Sequence, residues 1–367
     1  MGLWEPLEAL DPTECGGFQL THRVGEGGFG DVFLGYRSDI QVPAAVKIIK
    51  SDHLADRVKR NRFKQEIELL GKMSGMHTAA LLDADGDAVP PWLATQYIHA
   101  PSLYALICRY GPLDELGAWW LVTSLAEALI EIHTKQILHR DLKPQNVLVA
   151  RTGLHVIDFG ISRYVQSNGM TADSKFFGSR EFAPKEQLND PRTVTERSDV
   201  FALACVAVYA ITGRPPFHYA SLQDRFTDAP PDLTDVPTGI YALLEACLSA
   251  AESERPVASA VYAAALDRLL GYGVPVVSET GLPLLAEIRD FVDDWCAQPI
   301  PASPFTLVPV GVASATSGLG SDAGGGAPAG SGTAPTKAPG PEWSGFGADW
   351  VGRWNSTAKK QRESFGL

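Results

Sequence analysis

The sequence has few cysteines, an excess of acidic over basic residues and no long apolar run. Its five cysteines are odd in number, scattered and never spaced as CxxC, which argues against a disulfide framework or a zinc ribbon and fits a reducing cytosol. The formal net charge of −12 argues against nucleic acid or an anionic membrane as a partner. No apolar stretch approaches the roughly 20 residues that cross a bilayer. These absences predict a soluble, cytoplasmic protein.

The first residues, MGLWEPLEALDPTE, show no targeting pattern. No basic region precedes an apolar run, so a secretory signal is not predicted. The chain begins Met-Gly, but Pro6 stands where a myristoylation motif requires Ser or Thr.

Residue patterns divide the remaining chain into a strand-rich part and a helical part. Residues 18–94 have strand patterns with one helix, whereas 96–271 are mostly helical. WWLVTSLAEALIEIH predicts an amphipathic helix with Val122, Leu125, Leu129 and Ile132 on one stripe. DVFALACVAVYAIT is apolar all round and predicts a buried core helix, and LPLLAEIRDFVDDW predicts one more amphipathic helix.

The stretch HRDLKPQNVLV crowds charged and polar groups ahead of a short apolar strand. Asp141, Lys143 and Asn146 fall within six residues, and NVLV-ARTG-LHVID then reads as a tight hairpin. Opposite charges placed just before a buried strand indicate a functional site.

Three further features admit both a structural and a functional interpretation. VGEGGFGDV has Gly25, Gly27 and Gly30 in GxGxxG spacing, which is either a hairpin turn or a loop whose amides cover phosphates. Lys47 in AAVKII is either an edge-strand lysine or a buried cation that needs Glu66 as its partner. Asp158 in VIDFG either caps a turn or, with Asn146, holds a hard cation such as Mg²⁺.

Taken together and in order, these motifs resemble a eukaryotic-type (Hanks-type) bacterial serine/threonine protein kinase. The resemblance runs from about residue 18 to 271 and is carried by the following landmarks: the glycine loop, AAVK, QEIELL, HRDLKPQN, DFG, GSREFAPKEQ, SDVFALA and SERP. It implies an α+β, two-lobed protein-kinase fold with a β-rich N-lobe and a helical C-lobe. The composition of the chain beyond this fold predicts a disordered linker and a short tail.

The resemblance implies ATP and Mg²⁺, with Mn²⁺ as a substitute, and assigns a role to each matching position. Lys47, held by Glu66, would bind the α- and β-phosphates under the glycine loop. Asp141 would take the proton of the attacking hydroxyl, Lys143 would stabilise the γ-phosphate, and Asn146 and Asp158 would hold the metal. The expected nucleotide-binding set is Val24, Gly25, Gly27, Gly30, Val32, Lys47, Glu66, Thr95 as gatekeeper, Gln96 to Ile98 as the adenine hinge, Asn146 and Asp158. His139 is expected to be a packed structural residue.

The resemblance also implies a substrate class and a regulatory segment. Lys143 and Ser179 match serine/threonine kinases, so the expected partners are proteins phosphorylated on Ser or Thr. Arg140 beside Asp141 favours an activation loop ordered by phosphate, with Ser162, Ser167, Thr171 and Ser174 as candidates and Thr171 and Ser174 preferred. Dimerisation is left open.

One motif departs from the family pattern. The family's Ala-Pro-Glu is here either Pro184-Lys185-Glu186 without a gap, or Ala183-Pro184 with one inserted residue before Glu186. In both alignments Glu186 can pair with Arg255, while peptide specificity stays open. Two other classes share the architecture: a pseudokinase scaffold, which usually lacks the lysine or one of the aspartates, and an aminoglycoside-type small-molecule kinase, which lacks the peptide-site features.

The end of the chain has a different composition. Residues 301–341 are mostly Gly, Ala, Pro, Ser and Thr, which cannot bury enough surface to offset their ordering entropy, so they predict a linker. In the tail, Trp343, Phe346, Trp350 and Trp354 recur on one face of a helix, and they predict a partner-recruiting element or a clasp on the chain's own kinase domain. The predicted organisation is an N-terminal extension (1–17), a kinase domain (18–271, with lobes 18–95 and 96–271), an appended helix (272–300), a linker (301–341) and a tail (342–367).

Overall fold

The N-terminal lobe is an antiparallel sheet with one helix. In the computed structural model, the residues described are 4–27, 30–50, 57–73, 75–159, 180–190, 192–217, 230–273 and 286–305. The elements of this lobe are β1 (Glu5–Pro6), β2 (Glu14–Cys15), β3 (Phe18–Glu26), β4 (Gly30–Arg37), β5 (Ile40–Ile49), α1 (Arg57–Lys72), β6 (Leu81–Asp85) and β7 (Trp92–Gln96). The strand order is β1-β3-β4-β5-β7-β6, with β2 also paired to β3.

One face of the sheet carries the core of this lobe. Alternate residues of the strands point to the same side, so the apolar ones collect into a single cluster. Phe18 and Phe33 are buried in it, and Trp92 closes it with its ring edge against Phe18 at 6.0 Å between centroids. The short strands β1 and β2 belong to the stretch that the sequence assigned to an N-terminal extension; pairing with β3 makes them part of this sheet.

The second lobe is helical and contains one small hairpin. Its elements are α2 (Leu103–Tyr110), α3 (Glu115–Thr134), β8 (Val147–Ala150), β9 (Gly153–Val156), α4 (Lys185–Asn189), α5 (Glu196–Thr212), α6 (Thr238–Cys247), α7 (Ala258–Gly271) and α8 (Ala286–Ala297). Within the described stretches, no helix is both long and apolar enough to span a membrane.

Two long helices form the centre of the helical lobe. The predicted stripe of α3 (Val122, Leu125, Leu129 and Ile132) is completely buried, and each such aliphatic side chain contributes about 1.5–3 kcal/mol. Helix α5 is buried on nearly every side, as its continuous apolar sequence predicts. It packs against α3, which brings the first turn of α5 under the loop that follows α3.

Polar residues mark the ends of these helices. The Ser102 hydroxyl caps α2 by accepting from the amide of Ala105, and the Asp114 carboxylate caps α3 by accepting from the amide of Gly117. Helix α5 ends at Gly213, whose φ of 75° lies in the left-handed region that favours glycine.

Candidate active site

The glycine-rich turn joins two paired strands, β3 and β4. At its neck the amide of Gly27 donates to the carbonyl of Gly30 at 3.1 Å. A Cβ on Gly30 would lie 2.4 Å from the main-chain oxygen of Ile48, so the close approach of β5 requires glycine at this position. Because a strand follows the turn, the arrangement differs from a dinucleotide-binding fold, in which a helix follows.

Lys47 lies on an interior strand and forms a charge cluster across the lobe. Strand β5 is paired on both sides, by β4 and β7, so the edge-strand interpretation does not apply. The Lys47 ammonium donates to Glu66 Oε1 on α1 at 2.8 Å and to Asp158 Oδ1 at 3.4 Å. Glu66 is almost completely buried, with 4% of its side chain exposed, whereas Asp158 is 49% exposed. The cluster therefore has one buried carboxylate and one accessible to a ligand.

The charges of this cluster stabilise one another. Burial by itself lowers the pKa of Lys47, but attraction by Asp158 and Glu66 outweighs burial and raises the pKa above its ordinary value. The positive charge of Lys47 in turn lowers the pKa of the Asp158 carboxyl group. Both groups are therefore ionised at neutral pH.

The loop before β8 brings together the acid, the base and the amide noted in its sequence. The Lys143 ammonium donates to Asp141 Oδ2 at 3.1 Å. The Asn146 amide nitrogen donates to the main-chain oxygen of Asp141 at 2.9 Å and approaches that of Asp158 at 3.4 Å. Asn146 thus connects the loop to the segment that carries Asp158.

His139 is buried and holds a single tautomer. Its Nε2–H donates to the carbonyl of Ile157 at 3.2 Å, and its Nδ1 accepts from the amide of Asp141 at 3.2 Å. One nitrogen donates and the other accepts, so the ring is neutral. Burial lowers the pKa of His139, which favours the same state. This packing agrees with the structural role expected for His139.

A cavity of about 590 Å³ lies beside the Lys47 cluster, and its size is typical of a small-molecule site. Several residues of the predicted nucleotide set line it, as do Leu148 and Trp295. The predicted residues in its wall are Val24, Gly25, Val32, Lys47, Glu66, Thr95, the hinge residues Gln96, Tyr97 and Ile98, and Asp158. Gly27, Gly30, Asp141, Lys143 and Asn146 are outside this wall and lie in the adjoining turn and loop.

The residues present fit a divalent cation with oxygen ligands. Asp158 offers an ionised carboxylate beside the cavity, and the Asn146 amide uses its nitrogen in hydrogen bonds, which leaves its oxygen for a cation. Mg²⁺ sites commonly combine one or two side-chain ligands with the phosphates of the substrate. A Mg²⁺ site of this kind does not require a cluster of three or more His, Cys, Asp or Glu side chains. The described stretches contain no such cluster.

The family model for the protein kinase domain matches residues 18–265. The chain belongs to the protein kinase family. The matched region contains the glycine turn, the Lys47 cluster, the loop that carries Asp141, and Asp158 after β9. The predicted family is confirmed.

Bacterial kinases are among the relatives of this chain. Serine/threonine-protein kinase AfsK of Streptomyces coelicolor is 39% identical over 272 residues, which cover 73% of this chain and 34% of AfsK. The probable serine/threonine-protein kinase PkwA of Thermomonospora curvata is 38% identical over 262 residues, which cover 71% of this chain and 35% of PkwA. The chain thus spans about a third of the length of the curated relatives it matches.

A solved kinase domain shares the fold. The crystal structure of the Mycobacterium tuberculosis PknI kinase domain has a TM-score of 0.56 and 23% identity, and the match covers 71% of this chain and all of that one. The predicted two-lobed kinase fold is confirmed.

The departure in the Ala-Pro-Glu segment does not prevent the expected ion pair. Arg255, with 1% of its side chain exposed, donates to Glu186 Oε1 at 2.6 Å, and Ser198 donates to the same oxygen at 2.9 Å. The Arg255 guanidinium also lies over the ring of Phe201 at 4.7 Å. The start of α4 is therefore tied to the core of the helical lobe.

Asp199 is a structural determinant of the loop before β8, called the catalytic loop below, and it was not among the predicted site residues. From the first turn of α5, its carboxylate accepts from the amides of His139 and Arg140 at 2.9 and 2.8 Å and from His133 Nε2 at 2.9 Å. Arg140 has a φ of 63°, a strained value for a residue with a side chain. Asp199 holds this strained turn. The sequence offered one signal, the acid in SDVFALA at the head of a long apolar run.

Some predicted residues lie outside the described part of the chain. They are the activation-loop candidates Ser162, Ser167, Thr171 and Ser174, together with Ser179 and the tail aromatics Trp343, Phe346, Trp350 and Trp354.

Proposed function

We propose that this chain is an ATP-dependent serine/threonine protein kinase. The observation that carries the proposal is the Lys47 cluster: one lysine pairs with a buried glutamate and an accessible aspartate at the wall of a nucleotide-sized cavity. A pseudokinase usually lacks one member of this set, and all of them are present. The relatives support the substrate class, since AfsK is a serine/threonine-protein kinase and PkwA a probable one.

In the proposed reaction a Ser or Thr hydroxyl attacks the γ-phosphorus of ATP. The new O–P bond forms as the bond between the γ-phosphorus and the bridging oxygen breaks, and ADP leaves. Asp141 accepts the hydroxyl proton, Lys143 lies close to the transferring group, and Lys47 orients the α- and β-phosphates. Asn146 and Asp158 would hold Mg²⁺, which offsets negative charge on the phosphates.

The neighbouring residues position this loop. Neutral His139 and ionised Asp199 fix its backbone, so the Asp141 carboxylate is held by the chain before the substrate arrives. Because the polar groups of the site are already oriented, no free energy is spent on reorienting them during the reaction. Such preorganisation accounts for a large share of the rate enhancement in many enzymes.

We further propose that the kinase autophosphorylates within residues 162–174, at Thr171 or Ser174, and that the tail recruits a partner or substrate. The compartment proposed is the cytoplasm, where ATP is available. The cysteines support this compartment because all five lie in described stretches and none forms a disulfide.

A transfer assay tests the proposed activity. Purified chain with labelled ATP, Mg²⁺ and a generic Ser/Thr peptide should give labelled peptide, and phosphosite mapping should place autophosphorylation on Ser or Thr. Asp141→Asn should lower kcat by about 10²–10⁴-fold, the share typical of a positioned base, while ADP binding stays within about twofold. A parallel reaction with Mn²⁺ measures whether it replaces Mg²⁺.

The outcomes separate the alternatives. Nucleotide binding by the wild-type chain without any transfer would identify a pseudokinase, and transfer to an aminoglycoside but not to peptide would identify a small-molecule kinase. An Asp141→Asn variant that keeps more than about a tenth of the wild-type rate would show that the role of Asp141 is wrong.

A further inference from the structure

A segment beyond the family match lies against both lobes. Residues 286–305, here called the strap, begin with α8, which is anchored on the helical lobe. Arg151 donates through Nε to Asp293 Oδ1 at 2.6 Å and through Nη2 to its main-chain oxygen at 2.9 Å. The ring of Phe291 packs on Tyr110 with centroids 4.7 Å apart. The family match ends at residue 265, so these contacts are additional to the kinase domain.

The strap is next anchored at His99, directly after the hinge residues. His99 Nε2 lies 2.9 Å from the main-chain oxygen of Trp295, and because a carbonyl only accepts, Nε2 carries the proton. The Cys296 thiol donates to the main-chain oxygen of His99 at 3.3 Å. The Trp4 indole stacks on the His99 ring with 5.4 Å between centroids and 7° between planes. Both the N-terminal residues and the strap thus fix the chain at His99.

The strap then reaches the sheet of the N-terminal lobe. The Tyr36 hydroxyl on β4 donates to the main-chain oxygen of Pro301. One segment therefore contacts the helical lobe at Arg151, the hinge at His99 and the sheet at Tyr36. Such a segment holds the residue at its middle, Trp295, at the opening between the lobes.

Trp295 is a wall residue of the nucleotide-sized cavity. It lines the cavity together with Ile98 and Ala100 of the hinge region and Leu148 of β8. Its indole N–H is shielded from solvent and has no hydrogen-bond partner among the described residues. An indole also has a flat apolar face, and it is this face, and not the shielded N–H, that a purine base can stack on.

We propose that Trp295 is a nucleotide-binding residue, supplied by the strap from outside the matched kinase domain, that forms the outer wall of the adenine end of the cavity. This inference rests on the proposed kinase function, because it takes ATP as the ligand. Arg151, His99 and Tyr36 act as positioning residues for this wall.

Calorimetric titration of the full chain with Mg·ADP tests the proposal. Trp295→Ala should raise the Kd for ADP about tenfold, a loss typical of one base–aromatic contact. The KM for ATP should rise similarly while kcat on a generic peptide stays within about twofold. Trp295→Phe, which keeps an aromatic face, should retain most of the affinity. Asp294→Ala, which changes the exposed neighbour on the same helix, is the matched control and should behave as wild type.

Each outcome decides the proposal. An unchanged Kd in a folded Trp295→Ala variant would overturn it, and a lower Kd would show that Trp295 obstructs the cavity. If wild-type protein binds no nucleotide, the proposed function fails together with this inference. If wild-type protein is active and only the Trp295 effect is missing, the inference fails alone.

Hydrogen–deuterium exchange of wild-type protein provides a second test that requires no substitution. Saturating Mg·ADP should slow exchange in peptides that cover residues 291–298, as well as in peptides of the hinge. Protection of the hinge with no change in the strap would contradict a nucleotide contact at Trp295.

Discussion

At the scale of single residues, the site depends on charged side chains whose burial is offset by partners of opposite charge. It also depends on a strained backbone conformation. Lys47 loses solvation on an interior strand but gains two carboxylates, and Glu66 is buried only because Lys47 is its partner. Asp158 has a φ of 57°, a strained backbone that directs its carboxylate beside Lys47. These residues stabilise the site as a set. The removal of one leaves the others with a buried charge that has lost its partner of opposite charge, which destabilises the fold.

The first residue-scale prediction concerns Lys47→Met. Removing the ammonium should lower phosphoryl transfer by about 10²–10³-fold, because a preorganised positive charge no longer faces the phosphates. Peptide phosphorylation at saturating ATP measures this effect. Lys64→Met is the matched control, since Lys64 makes an ion pair on the exposed side of α1 and its loss should change the rate less than twofold. Near-wild-type autophosphorylation in Lys47→Met would contradict the role assigned to this lysine.

The second residue-scale prediction concerns pH and His155 on β9. Burial and, to a smaller extent, the nearby charge of His77 lower the pKa of His155 to about 4 from an ordinary 6.5. Between pH 6.5 and 4 the unfolded chain therefore binds the proton and the folded chain does not, so stability falls as the pH is lowered through this window. His155→Leu should remove that loss, which is on the order of 2 kcal/mol at pH 4.5.

Urea unfolding of both proteins at pH 7.5 and 4.5 checks this expectation. The comparison at pH 7.5, where the imidazole is neutral in both states, isolates the effect of replacing the side chain. The free energy of unfolding changes between pH 7.5 and 4.5 in each protein. The difference between these two changes removes the contribution of the carboxylates, because both proteins contain them. Equal losses of stability in wild type and variant would show that His155 does not contribute to acid sensitivity.

At the scale of elements, the catalytic loop is held by a helix that contributes no group to the reaction. Helix α5 is almost entirely apolar after its first turn, and that turn carries the buried Asp199. Burial raises the pKa of that carboxyl, but the hydrogen bonds from His133 and from the amide of Arg140 outweigh burial and lower it, so Asp199 stays ionised. The catalytic loop is thereby attached to the core of the helical lobe.

The element-scale prediction follows from this attachment. Asp199→Asn replaces one accepting oxygen by a donor that faces a main-chain N–H, so at least one buried amide loses its partner. The free energy of unfolding should fall by about 2–4 kcal/mol. The kcat should fall while the KM for ATP stays within about twofold, because Asp199 is not in the cavity wall. Urea unfolding and steady-state kinetics provide the two measurements.

Glu196→Gln is the matched control for Asp199. It lies on the same helix and faces the same histidine, His133, at 3.8 Å, but its side chain is 48% exposed. Its replacement should change stability by less than about 0.5 kcal/mol. If both variants behave alike, the loop does not depend on the buried carboxylate.

At the scale of the whole molecule, two segments outside the family match contribute to the part that the structure describes. Strands β1 and β2 extend the sheet, and the strap contacts both lobes. The composition of residues 301–341 predicts a linker that tethers the aromatic tail, and the first five of these residues belong to the strap. A tether raises the effective concentration of a bound partner toward mM without changing the catalytic site.

The whole-molecule prediction concerns deletion of residues 342–367. Activity on a generic peptide and the Tm should stay unchanged, whereas phosphorylation of a subset of proteins in a lysate should weaken. Replacing Trp343, Phe346, Trp350 and Trp354 by Ala should have the same effect, because large aromatics carry most binding energy at interfaces. Deletion of an equal length within 306–341 is the control. A changed basal rate or Tm would instead support a clasp on the kinase's own domain.

Much of the fold and the core of the site could be predicted from the sequence, because their information is local. The period of 3.6 in α3 identifies Leu125 and Leu129 as core, and the uniform apolarity of α5 identifies a central helix. Within a known family, the spacing of HRDLKPQN identifies Asp141 and Asn146 as well. The sequence also predicted the partner of Lys47, since a lysine in an apolar strand requires an anion and Glu66 lies on the next helix.

Contacts between distant parts of the chain were decided only by the tertiary structure. His99 and Trp295 are 196 positions apart, and Asp199 lies 60 positions from the amide of His139 that it holds. Periodicity tells which face of an element is buried but not which other element covers it, because that depends on how all the elements pack together. For this reason the sequence determined the chemistry along the catalytic loop, while packing decided that Asp199 holds that loop and that Trp295 lines the cavity.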